Sequence, residues 1–135
     1  MIKFTVPGIP CSKLRHRTFV TKSGHQRQYT PPETILYQNM MQICCREAMN
    51  VANQEKPAGA VSVSARYYFP VPKTRAGRLA EGGRHTQKPD LDNLIKTLDG
   101  LTGVAWHDDC SVAEIHASKY WTYEQARAEL EVEEL

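Results

Sequence analysis

The pattern of apolar and polar positions along this chain predicts a short series of elements. Phe4-Thr5-Val6 reads as a strand halted by Pro7-Gly8-Ile9-Pro10. Residues 17–20 and 27–30 flank Lys22-Ser23-Gly24-His25, the pattern of a β-hairpin with Gly24 in its turn. A helix is expected next, with Thr30 as its cap, Pro31 at the first helical position and Glu33 closing a capping box. Leu36, Met40, Ile43, Cys44, Ala48 and Val51 recur at helical spacing and predict its buried face, with Tyr37, Gln38 and Arg46 off that face.

Beyond Pro57-Ala58-Gly59, Val61, Val63, Ala65 and Tyr67 alternate with Ser62, Ser64, Arg66 and Tyr68, predicting a strand over residues 60–69. Residues 73–89 lack apolar periodicity and are rich in glycine and basic side chains, so a long flexible basic loop is expected there. After Pro89, the apolar stripe Leu91, Leu94, Ile95 and Leu98 predicts a core-facing helix terminated by Gly100 and Gly103. Residues 111–121 then read as a strand and 127–132 as its hairpin partner. The order predicts one α+β domain over residues 1–135, a small mixed or antiparallel sheet carrying two main helices.

Composition narrows the class. The 41% hydrophobic and 24% charged shares suit a folded globular domain and exclude wholesale disorder. No apolar run reaches the roughly 20 residues of a membrane helix, and the opening six residues, stopped by Pro7, are too short for a signal peptide, so a cytoplasmic protein is expected. Cys11, Cys44, Cys45 and Cys110 form no zinc-type spacing and are read as reduced thiols. Formal net charge is only +2, but it is segregated. Lys3, Lys13, Arg15, Arg17, Lys22 and Arg27 are interrupted by no acid. Lys73, Arg75, Arg78, Arg84 and Lys88 are opposed only by Glu81, and the C-terminal end is acidic. Segregation of this kind suits one phosphate-facing surface, although solvated loops account for each cluster as well.

The acids of the second helix carry the candidate chemistry. In a regular helix Asp90 and Asp92 would point about 160° apart, at roughly 100° per residue. They converge on one ligand only if Asp90 stands at the helix entrance, which Pro89 favours, and where the helix dipole favours ionised carboxylates. Helix capping, with Lys96 as a surface ion pair of Asp92, is the alternative reading of the same residues. Asp108-Asp109 taken alone is a turn signal. His107 reads as an exposed turn residue, and Trp106 and Trp121 as core or interface residues.

The run Lys88-Pro89-Asp90-Leu91-Asp92-Asn93-Leu94-Ile95-Lys96, followed by Gly103-Val104-Ala105-Trp106-His107-Asp108-Asp109, resembles the RusA family of Holliday-junction resolvases, especially its phage and prophage members. The likeness extends from Pro7-Gly8-Ile9-Pro10 with Lys13, Arg15 and Arg17, through His85-Thr86, to Ser118-Lys119-Tyr120. It implies that Asp90, Asp92 and Asp109 are metal-binding acids, that Asp108 is their less critical neighbour, and that Lys96 takes part in catalysis. It also implies a homodimer, encoded by a bacterium or phage, that cuts four-way DNA junctions with Mg²⁺ or Mn²⁺ in recombination and repair, with no organic cofactor and no membrane partner. Lys13, Arg15, Arg17, Lys73, Arg75, Arg84, Lys88 and Lys119 are the expected DNA contacts. Family members with a short central loop have no counterpart of residues 73–87. Phosphodiester hydrolysis needs an activated water and a neutralised phosphate, and carboxylate oxygens select hard cations that supply both.

Overall fold

The computed structural model describes all 135 residues. Strand β1 (Ile2–Pro7) is followed by a hairpin, β2 (Arg17–Val20) and β3 (Gln26–Tyr29), with Gly24 at φ +84° in its turn. Helix α1 (Pro32–Val51) and strand β4 (Val61–Pro70) come next. Helix α2 (Leu91–Ile95) tightens without a break into a 3₁₀ segment, Lys96–Leu101, and β5 (Val112–Thr122) and β6 (Arg127–Glu134) end the chain. Short 3₁₀ turns lie at Lys73–Arg75 and Asp109–Ser111. The result is the expected α+β domain. No helix is long and apolar enough to cross a membrane.

The sheet order is β1-β6-β4-β5, with β4 and β5 parallel and the other two pairings antiparallel. This corrects the expected hairpin between the last two strands. Strand β5 returns parallel to β4 after the α2 crossover, and β6 inserts between β1 and β4, where its Ala128, Leu130 and Val132 complete the core. A strand buried between two others gains two ladders of hydrogen bonds, whereas a local hairpin would leave it on an edge.

One face of the sheet is apolar. Phe4 and Val6 of β1, Val61, Val63, Ala65, Tyr67 and Phe69 of β4, and the three β6 residues pack beneath Leu94, Leu98, Leu101 and Trp106. The alternation read in β4 therefore holds, and so does the core stripe of α2, with Leu94 and Leu98 fully enclosed and Leu91 and Ile95 partly so. Gly100 does not stop that helix. It lies inside the 3₁₀ segment, and Gly103 (φ +85°) makes the turn beyond it.

Helix α1 departs further from expectation. It begins at Pro32 with Pro31 in the cap position, and neither Thr30 nor any other side chain caps it. Its inward residues are Thr34, Met41 and Cys45, with Cys44 and Ala48 packed against the core as expected and Tyr37 and Met49 joining them against expectation, whereas Leu36 (68% exposed), Met40, Ile43 (57%) and Val51 face outward. Polar anchors hold the flank of that inward face. Gln38 donates to the Thr97 carbonyl (3.1 Å) and Gln42 to the Gly100 carbonyl (2.8 Å), fixing α1 against the 3₁₀ segment.

Residues 73–89 follow the edge of β5 by a ladder of contacts. Gly82 N–H donates to the Trp121 carbonyl, Trp121 N–H to that of Gly83, and His85 N–H to that of Lys119, at 2.8–3.1 Å. Glu81 accepts from Thr122 Oγ1 (2.8 Å) and Tyr123 N–H (3.1 Å), which holds its carboxyl below the usual range. His85 is buried, stacked on Phe69 and tilted against Trp121 at ring separations of 4.3 and 4.2 Å. That burial, with the Lys119 ammonium nearby, depresses its pKa. This path delivers the chain to Asp90.

Candidate active site

A cleft of about 870 Å³ opens between α2, the start of β5 and the residues that follow Pro10. Asp90, Asp92 and Lys96 enter it from α2, Asp109 from the turn before β5, and Lys13, Arg15 and His16 from the N-terminal arm. The Asp90/Asp92 pair and the distant Asp109 thus reach one space because the α2 crossover carries the chain from β4 to β5.

Asp90 has extended backbone (φ −67°, ψ 144°), and its carbonyl accepts from Asn93 N–H (3.1 Å) and Leu94 N–H (3.2 Å). It therefore occupies the entrance of the helix, as the divergence of the two acids demanded. Its side chain makes no capping hydrogen bond. A capping carboxylate would satisfy a free backbone N–H of the first turn. Asp90 is instead turned to the cleft. Asp92 is exposed in the first turn, 3.9 Å from the Lys96 ammonium, which also lies 3.3 Å from Asn93 Oδ1.

Asp109 is held differently. The indole N–H of buried Trp106 donates to Thr102 Oγ1 (3.1 Å), and the Thr102 hydroxyl donates to Asp109 Oδ1. This relay orients one carboxylate oxygen and leaves the other directed to solvent. Thr102 had no motif to announce it, since the turn linking it to Asp109 exists only after Gly103 and Trp106 have folded. Asp108 is engaged locally, in a reciprocal cap with Ser111 of the 3₁₀ turn, and does not line the cleft.

The chain matches the family model described as Endodeoxyribonuclease RusA over residues 7–133. It belongs to the RusA family. The activity class that membership shows is endonucleolytic cleavage of DNA. An uncharacterized protein of Bacillus subtilis (strain 168), YqaN, is 30% identical over 146 residues, which cover 99% of this chain and 96% of that protein.

In this RusA-family domain the basic residues fall into two groups. Arg15 lines the cleft, and Arg17 stands exposed at the base of the β2–β3 hairpin. Lys73, Arg75, Arg84 and Lys88 are exposed along the 73–89 segment outside the cleft, Arg84 lying over the Tyr120 ring at 5.0 Å. Two lysines are bound to protein oxygens. Lys119 donates to the carbonyls of Gln87 (2.6 Å) and Pro89 (2.8 Å), fastening the residues immediately before Asp90. Lys13 pairs with Asp99, a carboxylate in the same cleft that sequence reading passed over. His107 and Cys110 are exposed beside Asp109 but outside the cleft, and the two tryptophans are buried in the core.

The donor set suits a hard divalent cation. Asp90 is free of capping bonds, Asp92 is exposed and Asp109 keeps an unengaged oxygen, all in one cleft without a cysteine. No three acid, histidine or cysteine side chains stand close enough together to form a ready-made metal site. Asp90, Asp92 and Asp109 share the cleft and are the residues that would hold a cation there.

Proposed function

We propose that this RusA-family protein is a structure-selective endonuclease that cuts four-way DNA junctions with Mg²⁺ or Mn²⁺, as a homodimer, in recombination and repair. The observation that carries this reading is the shared cleft of Asp90, Asp92 and Asp109, rimmed by Lys96 and Arg15. In it Asp90, Asp92 and Asp109 would hold the cation. When bound, that cation neutralises phosphate charge and lowers the pKa of a water at the scissile bond.

The chain's own side chains do the rest. The relay from Trp106 through Thr102 fixes the Asp109 carboxylate, and Lys119 fixes the backbone that presents Asp90. The Lys96 ammonium, beside Asp92, stabilises negative charge as it grows on the phosphate. Arg15 grips a neighbouring phosphate, because a guanidinium matches phosphate oxygens in pairs. The outward apolar stripe of Leu36, Met40 and Ile43 supports a second copy, since a stripe of that kind favours a covered state over an exposed one. Two copies about a two-fold axis would place two such clefts on a two-fold symmetric junction.

The test is cleavage of a four-way junction, resolved on a denaturing gel, by the wild type and by Asp92→Asn. The variant is expected to lose on the order of 10²–10⁴-fold in rate while binding the junction normally. Full cutting by Asp92→Asn would remove the cleft from the chemistry. Equal wild-type rates on junction, fork, flap and plain duplex would keep the nuclease and discard the junction selectivity.

A further inference from the structure

The N-terminal arm is held across the catalytic helix by contacts that no motif predicts. Lys13 N–H donates to the Asn93 carbonyl of α2 (3.0 Å), and Leu14 N–H donates to Thr34 Oγ1 of α1 (3.3 Å). The Lys13 ammonium is paired with Asp99, whose other oxygen accepts from Gln38 Nε2 (2.6 Å). Gln38 is itself seated by the Thr97 carbonyl. Its close packing needs Gly100, because a Cβ there would meet the Gln38 side chain at 2.9–3.0 Å. Asp99 thus stands where α1, the 3₁₀ segment and the arm meet, and Arg15 and His16 lie two and three residues beyond the clamped lysine, on the cleft wall.

We propose that Asp99 is a positioning residue that, with Gln38, clamps Lys13 and so holds the arm over the cleft with Arg15 facing the DNA phosphate. The inference rests on the reading of the cleft as the nuclease site. It assigns Lys13 to the clamp and not to DNA, and it explains a carboxylate that would otherwise only repel the substrate. The physical consequence has a sign opposite to simple electrostatics. Removing a negative charge from a DNA-binding cleft should strengthen binding, since each phosphate contact works against fewer repulsions. Releasing the arm should weaken it, because Arg15 then loses its place.

The experiment compares wild type, Asp99→Asn, Lys13→Ala, the double variant and Lys13→Arg, with thermal melts to verify folding. Two readouts are followed, hydrogen exchange at the Lys13 and Leu14 amides and salt-dependent binding to a four-way junction. Asp99→Asn is expected to speed exchange at both amides and weaken junction binding, each about tenfold, as for loss of a charge-assisted bond. The salt slope should fall by roughly 0.9, the value of one phosphate contact. Lys13→Ala should match it, the double variant should be no worse than either, and Lys13→Arg should stay near wild type. Gly100→Ala, which displaces Gln38 without altering any charge, should move both readouts in the same direction by less. Unchanged exchange in Asp99→Asn, or junction binding as tight as wild type or tighter, overturns the clamp. Asp92→Asn, assayed alongside for cutting, decides the reading of the site separately.

Discussion

Helix α1 and the α2 rod with its 3₁₀ continuation each carry apolar residues every three or four positions, yet they use them oppositely. In the rod, Leu94, Leu98 and Leu101 are sealed against the sheet, and the polar flank left over presents Asp92 and Lys96 to the cleft. In α1 the inward face is Thr34, Met41 and Cys45, with Tyr37, Ala48 and Met49 packed beside them and Gln38 and Gln42 as anchors, and Leu36, Met40 and Ile43 are left outside. The difference follows from what each helix packs upon. The rod lies over β-strand side chains, where leucine volume is needed to fill space. Helix α1 packs Met41 and Cys45 into the core with the residues of β1, and along its other flank it approaches the backbone of residues 97–100, where a glutamine amide can satisfy carbonyls and a leucine could not.

Cutting into the rod should have the largest effect on stability. Leu94 is fully buried, so Leu94→Ala removes its contacts and leaves a cavity, costing about 2–5 kcal/mol. Thermal or urea unfolding measures this. The loss should also slow DNA cleavage, since Leu94 holds the turn that carries Asp92. A cost below about 1 kcal/mol would mean that the rod is not anchored by its apolar side.

The same operation on the outer stripe of α1 should separate stability from assembly. Ile43→Ser with Leu36→Ser is expected to change the unfolding free energy of the monomer by less than about 1 kcal/mol, because neither side chain is enclosed. Sedimentation should show the double variant shifted toward monomer, with cleavage of both strands at a junction becoming uncoupled. If the wild type and the variant have the same mass in solution, the stripe is not the face that meets a second copy. If the variant unfolds as readily as Leu94→Ala, the two helices are not as different as the comparison holds.

This contrast also marks how far the sequence could be read. The alternation in β4, the stripe of Leu91, Leu94, Ile95 and Leu98, and the placing of Asp90 at a helix entrance followed from local periodicity and from Pro89, and the structure has them. The outward turn of α1 did not follow. Two apolar stripes compete in its sequence, and the one turned inward, with Tyr37, Met41, Cys45, Ala48 and Met49, is flanked by Gln38 and Gln42, which meet the 3₁₀ segment where Gly100 leaves room for Gln38. The partner of β6 was likewise hidden, because alternation marks a strand but not its neighbours. In the cleft, the motif acids were legible as residues. Thr102, Asp99 and the carbonyl ligands of Lys119 were not, since each acts through a contact that exists only after folding.

The smallest expected effects lie at the two helix starts, where the comparison can be sharpened most. Thr30 lies one residue before the cap position of α1, which Pro31 fills, and Asp90 stands at that of α2, and neither helix has a side-chain cap bond. A true cap lost to alanine costs about 0.5–2 kcal/mol. Thr30→Ala and Asp90→Ala are each expected to change stability by less than about 0.5 kcal/mol, as at surface positions without a specific partner. Asp90→Ala also removes one of four carboxylates from the cleft, which relieves mutual repulsion and offsets the favourable interaction of its charge with the helix dipole. The two variants should part only when cleavage is measured, with Thr30→Ala cutting at the wild-type rate and Asp90→Ala inactive at an unchanged melting temperature. A fall of several degrees in Asp90→Ala, with activity lost in proportion, would return that carboxylate to the role of a cap and leave Asp92 and Asp109 to hold a cation between them.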